Sequence, residues 1–270
     1  MKKSIAGIVM VALITGAVQA ETLQIDGSTT VGPIADAFAE YFKSVYPSLD
    51  ITVKKTGSGD GAAALVDGRC DIATMSRFMK PDEFAKAVSN TVLPVAHVVA
   101  MDGVCVVVHP SNPVRDLTTA QVRDIYAGRV TNWRQVGGPS VPIVVISRDT
   151  SSGTYETFEK LVMNKQPMAA SVEYVNANPQ AQARVRTTPG AIGYVGLGFL
   201  EGVKALEVDG VKPTRRTVSS GSYPVSRPLF MFTNGYPKLG SMVHKFVAFY
   251  LTERGQELVE AKGYVPLTDY

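Results

Sequence analysis

The stretch Ile143-Val-Val-Ile-Ser-Arg148-Asp-Thr-Ser-Ser152-Gly-Thr154 decides how the rest of the chain is read. An apolar, β-branched run, Ile143 to Ile146, enters a short turn of hydroxyl residues and glycine. A helical pattern then opens at Tyr155. Two earlier places repeat the design: Gly27-Ser28-Thr29-Thr30 between Ile25 and a helix at Val31, and Gly57-Ser58-Gly59-Asp60-Gly61 after a strand at Val53. Strand, turn and helix in this order are the unit of an α/β fold with mainly parallel strands.

These corners have a shared chemistry. The first N–H groups of a helix lack partners within it and point outward. The aligned peptide dipoles place about half a positive charge at the same end. Glycine lets the backbone approach an anion closely, and Ser and Thr add rotatable donors. Arg148 adds a forked cation suited to oxyanion geometry. Each turn alone reads as an ordinary helix cap. Three of them, one carrying an arginine, point to an anion.

The remaining pattern extends the alternation. Strands are expected at Thr22 to Ile25, Asp50 to Lys54, Ile72 to Met75, Val141 to Ser147, Ala191 to Val195 and Arg227 to Asn234. Helices are expected at Val31 to Tyr46, Gly61 to Asp67, Thr118 to Tyr126, Ser152 to Met163, Ala181 to Arg186 and, as one long closing element, Val243 to Ala261. Val92 to His109 is apolar enough to be one or two extended strands carrying the chain between two domains. No Gly/Ser-rich tether and no internal repeat interrupts the alternation.

Composition narrows the function. Lys2 and Lys3, the apolar run Ile5 to Ala17 and the small-x-small Val18-Gln19-Ala20 form a cleavable export signal over residues 1–20, with a mature start at Glu21. No cysteine follows that cut to carry a lipid, so the expected location is the periplasm. Without Lys2 and Lys3 the formal charge falls from +3 to +1, and only 19% of residues are charged, which argues against nucleic acid. Export permits a disulfide between Cys70 and Cys105, the alternative being two buried thiols; the disulfide is the expectation. His97, His109 and His244 have no metal-ligand spacing, and there is no Gly-x-Ser-x-Gly elbow or Gly-Lys-Ser phosphate loop. A secreted phosphatase would need a base or metal that the sequence does not offer. No catalytic residue, metal or cofactor is expected, and the chain is read as a monomer.

At these residues the chain resembles the periplasmic phosphate-binding proteins of ABC-type phosphate importers. The resemblance spans nearly all of the mature chain. It includes Asp71-Ile72-Ala73 with Ser76-Arg77, Asp124-Ile125-Tyr126-Ala127-Gly128 leading to Trp133, Arg148 through Thr154, and Pro189-Gly-Ala-Ile-Gly-Tyr194-Val195. It implies a type II periplasmic-binding-protein fold: two lobes, 21–107 plus 226–270 and 108–225, hinged on two crossing strands near Val106 to His109 and Val225 to Met231. It implies an exported solute-binding protein that captures inorganic phosphate in the cleft and delivers it to the membrane permease of an ABC importer. The implied ligand set is Ser28, Thr29, Thr30, Ser58, Asp60, Ser76, Arg77, Arg148, Ser151, Ser152, Gly153 and Thr154, with the Gly190 to Tyr194 segment structural. One position departs: longer members of the family carry an Asp, which accepts the phosphate proton, where this chain has Arg77. Arg77 cannot accept a hydrogen bond. Asp60 or Asp149 is then expected to take that role, and Arg77 either to bind the anion or to pair with Asp71 or Asp82. Sulfate, molybdate, tungstate and phosphonate are the alternative ligands.

Overall fold

Hydrophobic periodicity translates directly into the elements that carry the site. The structure, a computed structural model, describes residues 21–268. The export signal expected at residues 1–20 lies outside the described residues. The first half of the chain alternates β1 (Thr22–Gly27), α1 (Gly32–Val45), β2 (Asp50–Val53), α2 (Ser58–Val66), β3 (Ile72–Met75) and α3 (Pro81–Ser89). The long strand β4 (Pro94–Val108) then leads to β5 (Asp116–Leu117) and α4 (Thr119–Tyr126). The second half continues with β6 (Val144–Arg148), α5 (Gly153–Leu161), β7 (Glu173–Val175), α6 (Asn178–Arg186) and β8 (Ala191–Gly196). Short β9 (Lys204–Ala205), β10 (Glu207–Val208) and α7 (Arg215–Ser219) precede the return strand β11 (Ser226–Asn234) and the closing helices α8 (Met242–Val247) and α9 (Glu253–Ala261).

The strands pair in the order β2-β1-β3-β11-β4-β8-β6-β7, with β9 also on β4. β1 is parallel to β2 and β3, and β6 is parallel to β7 and β8. Antiparallel β11 and β4 join these two parallel sets. β4 is the splice: residues Pro94 to Gly103 pair with β11, and Val104 to Val108 pair with β8. One continuous strand thus belongs to both lobes of this two-lobed periplasmic-binding-protein fold. Its pairing partner changes between Gly103 and Val104.

Packing follows the same division. Ile34, Phe38 and Phe42 of α1, one face at helical spacing, bury against Phe246 and Phe249 with T-shaped or tilted ring contacts. Around the far half of β4, Trp133, Tyr126, Phe158 and Tyr194 form a second buried cluster. The Trp133 indole donates to the Gly190 carbonyl at 2.9 Å, which ties the Pro189-Gly190 turn to the lobe core. α4 starts and stops as its residues dictate: Thr118 accepts the Gln121 N–H, and Gly128 follows the last turn at φ +76°.

The closing segment differs from expectation. A single helix over Val243 to Ala261 does not form; α8 ends at Val247, a 3-10 turn spans Ala248–Leu251, and α9 begins afresh. Thr252 is the cause, because its extended backbone and its hydroxyl, which accepts the Gly255 N–H, make a new N-cap. α3, α7 and the short strands β5, β7, β9 and β10 were not legible as elements.

The expected disulfide is also corrected, since Cys70 and Cys105 are both buried free thiols. Cys70 precedes β3, and Cys105 lies on β4 beyond the residues that β11 pairs. Across β11, Ile72 lies level with Val95, and Cys105 is ten residues further along β4, so at about 3.3 Å per residue the two cysteines are roughly 30 Å apart, far beyond disulfide reach. Burial pushes the Cys70 thiol up to about 12 and Cys105 well above its ordinary value, so neither is a ready nucleophile. Thiol titration of the purified protein should find almost no reaction in the native state at pH 8 and two thiols per chain in denaturant. No thiols in denaturant would mean that a bond forms.

Candidate functional site

The three turns read from the sequence meet in one place. Ser28, Thr29, Thr30, Gly57, Ser58, Ser76, Arg148, Ser152 and Gly153 line a narrow, tightly closed cavity at the junction of the two lobes. A larger, open depression bordered by Leu65, Cys70, Asp71 and Lys238 lies elsewhere and contains none of the three turns.

Each turn is built for close approach. Gly57 sits at φ +137°, and a Cβ there would stand 2.5 Å from the Ser151 hydroxyl of the opposite lobe. A Cβ on Gly153 would stand 2.5 Å from Ser58 Oγ and 2.7 Å from Ser76 Oγ. Only glycine lets the α5 start pack against those serines. The Gly59 N–H donates to the Ser151 carbonyl at 2.9 Å, fastening the second turn to the third.

Hydroxyls hold the turns in register. Ser28 Oγ accepts the Thr30 and Val31 N–H groups at 3.1 and 3.3 Å, capping the approach to α1. Ser152 does the same for α5, accepting from Thr154 and Tyr155. Ser58 Oγ accepts the Ser76 N–H at 3.0 Å, joining the α2 start to the end of β3.

Arg148, at the end of β6, is 1% exposed. Its Nε donates to the Val175 carbonyl, and its Nη2 donates to the Asn176 carbonyl at 2.7 Å and to Thr29 Oγ1 at 3.2 Å. Its Nη1 is buried with no hydrogen-bond partner. Burial lowers the guanidinium pKa to about 10, which still leaves it charged at neutral pH. The Tyr194 hydroxyl accepts the Arg148 N–H at 3.1 Å, so the strand that presents this arginine is anchored from beneath.

Four expected site residues stand outside the cavity wall. Asp60 is exposed. Ser151 contributes its carbonyl to Gly59, while its N–H and hydroxyl donate to Asp149 Oδ1 at 2.9 and 2.6 Å. That closed turn engages the Asp149 carboxylate. Thr154 is fully buried one layer behind. Arg77 pairs with neither Asp71 nor Asp82. Its guanidinium forks onto Glu83 at 2.6 and 2.7 Å, and its Nε lies 2.5 Å from Glu156 of α5. Lys80 reaches the same Glu156 at 3.1 Å. Two carboxylates thus draw Arg77 into a pairing between α5 and the β3–α3 side, a bond across the mouth of the cleft.

Sequence reasoning missed Asn178, Arg227 and Asp102. The Asn178 amide donates to Thr29 and Thr30 hydroxyls at 3.2 and 2.9 Å. Arg227 of β11 and Asp102 of β4 are register partners and form a fully buried ion pair at 2.8 Å. Arg227 also donates to Thr154 Oγ1 at 3.0 Å and to the Gly153 carbonyl at 3.2 Å. The available signal was a lone charge in each of two apolar strand runs, since charges are rarely fully buried unless paired.

Two lobes sharing long strands, with a donor-lined cavity where their turns converge, define a solute-binding protein of the two-lobed class. The PBP superfamily domain model matches residues 15–254. The chain is 32% identical over 251 residues to the phosphate-binding protein PstS of Bacillus subtilis, covering 92% of this chain and 81% of that protein. It is 30% identical to PstS of Borreliella burgdorferi, covering 90% and 89%. Among solved structures, a Clostridium perfringens substrate-binding protein with bound phosphate superposes at a TM-score of 0.84 with 32% identity, over 92% of this chain and all of that one. An ABC-type phosphate transport receptor from Vibrio cholerae superposes at 0.73 with 32% identity, over 90% and 99%. The chain belongs to the PBP superfamily, in the family of PstS phosphate-binding proteins.

The hinge pair yields a stability prediction. Arg227→Ala strands Asp102, a carboxylate that burial already disfavours as an anion, without its counter-ion. Urea unfolding should show a loss of about 3–5 kcal/mol. A midpoint and slope equal to wild type would contradict the role given to this pair.

Proposed function

We propose that the protein captures inorganic phosphate between its lobes and hands it to the permease of an ABC importer. The observation that carries the ligand assignment is Arg148 Nη1, a charged donor sealed inside the cavity with no protein acceptor. An unpaired buried donor is costly, and an oxyanion oxygen is its natural complement. Ser28, Thr29, Thr30, Ser58 and Ser76 then hold the anion from one side, and Arg148, Ser152 and Gly153 from the other. Thr154 acts from behind by fixing Thr30, whose hydroxyl lies 2.9 Å away. The wall of converging hydroxyl, backbone and guanidinium donors suits a dehydrated oxyanion rather than an organic solute.

The transport cycle follows from contacts made by both lobes. A ligand bonded on both sides binds the closed arrangement better and shifts the population towards it. We assign the lobes as 21–107 plus 226–270 and 108–225, with closure about the β4 and β11 strands. The Arg77–Glu156 pair and the Gly59–Ser151 bond fasten the closed form. The mature protein begins at Glu21 after removal of the leader and works in the periplasm without a lipid anchor. It acts by binding and release rather than by turnover, as its substrate-binding relatives do.

Calorimetric titration with phosphate tests this reading. Wild-type protein should bind at one site, and Arg148→Ala should lose about 2–5 kcal/mol of binding, a loss of roughly thirtyfold or more. Unchanged affinity in Arg148→Ala would remove the cavity from consideration.

A further inference from the structure

The hydrogen-bond directions inside the cavity restrict what its hydroxyls can still offer. A hydroxyl has two acceptor lone pairs and one donor hydrogen. Ser28 Oγ already accepts from Thr30 and Val31, and Ser152 Oγ from Thr154 and Tyr155. Thr29 Oγ1 accepts from Arg148 and Asn178, both at 3.2 Å. Thr30 Oγ1 accepts from Asn178 at 2.9 Å and Arg227 at 3.4 Å. Ser28, Ser152 and Thr29 have no lone pair left, so towards a ligand their hydroxyls can only donate; the Thr30 hydroxyl, also filled, spends its hydrogen on Thr154 Oγ1 at 2.9 Å. Arg148 likewise only donates. No carboxylate lines the cavity: Asp60 is exposed, and Asp149 serves Ser151.

Hydrogen phosphate, the dominant form near neutral pH, carries a P–OH proton that must be given to something. The Ser58–Ser76 pair is the part of the wall that can take it. Ser58 Oγ accepts the Ser76 N–H at 3.0 Å and lies 3.3 Å from Ser76 Oγ, either of which can donate to the other. If Ser76 donates to Ser58, both lone pairs of Ser58 are filled and its hydrogen turns to the ligand. Ser76 Oγ is then left with lone pairs facing the cavity.

We infer that Ser76, in relay with Ser58, accepts the proton of hydrogen phosphate and so sets the cavity's preference among tetrahedral oxyanions. This rests on the phosphate reading given above. The circuit closes: P–OH donates to Ser76 Oγ, Ser76 donates to Ser58 Oγ, and Ser58 donates back to a second phosphate oxygen. No proton changes owner. The site performs with two neutral hydroxyls what a carboxylate acceptor would do with charge. A ligand of the same shape and charge without the proton must either face the Ser76 lone pairs or break the Ser76–Ser58 bond. Because a hydroxyl can rotate, this selectivity is smaller than a fixed carboxylate would impose.

Monofluorophosphate tests the idea, since it is a dianion of nearly the same shape with fluorine in place of the hydroxyl. Calorimetry on wild-type protein should show phosphate binding about tenfold or more tighter than monofluorophosphate, the scale of one unpaired buried polar group. In Ser76→Ala the gap should shrink to roughly threefold or less, because the acceptor that distinguishes the two is gone. Ser28→Ala, which removes a pure donor, should weaken both ligands and keep the gap. Equal binding of the two ligands by wild-type protein overturns the inference without any variant. A full gap retained in Ser76→Ala overturns it as well. Those results leave phosphate capture standing, whereas failure of the wild-type protein to bind phosphate would bring down the functional reading itself.

Discussion

A buried guanidinium brings five N–H donors into a space without water, and each needs an acceptor. Arg148 finds protein partners for its Nε and Nη2 and none for Nη1. The molecule keeps this arrangement by anchoring the arginine through Tyr194 and by closing serine-rich turns around it. A surface arginine would satisfy itself with water and exert little selection on a ligand. A sealed one makes an anion part of the finished structure. The glycines, the helix caps and the sharing of β4 between lobes all serve to bring acceptor-hungry groups to that one nitrogen.

The second layer explains how the halves stay aligned. Arg227 and Asp102, opposite one another on β11 and β4, lie where the strands pass between lobes. From there Arg227 reaches Thr30 on one side and Gly153 and Thr154 on the other. A fully buried pair of this kind is weak evidence for net stability, since desolvation offsets much of the attraction. Its directional bonds nevertheless fix which way the threonine hydroxyls point. Nearer the surface, the Arg77–Glu156 contact makes a comparable link, with Glu83 and Lys80 balancing the charges.

The three binding corners were legible because their signal is local: a β-branched run, a hydroxyl-glycine turn and a helical period within about a dozen residues. Arg148, Ser152, Gly153, Ser58 and the Ser28 turn meet at the cavity for that reason. Arg77 misled because a motif neighbour suggests proximity to the ligand, whereas carboxylates on α3 and α5 decided its direction. Asn178 and Arg227 act on Thr30 from 148 and 197 positions away, and no local pattern encodes such a contact. The closing helix was misjudged because apolar periodicity runs through Thr252, and the cap that breaks it involves a single hydroxyl. The cysteines misled in the same way, since compartment chemistry permits a bond that strand register forbids.

The central claim is that one tetrahedral anion completes the donor set around Arg148. A crystal structure of the protein grown with phosphate tests it most directly. The account predicts phosphate between the lobes, with one oxygen at hydrogen-bond distance from Arg148 Nη1 and others facing Ser28, Ser58 and Ser152. Phosphate bound only at the open depression near Leu65 and Lys238, with Nη1 turned to a protein acceptor, would contradict it.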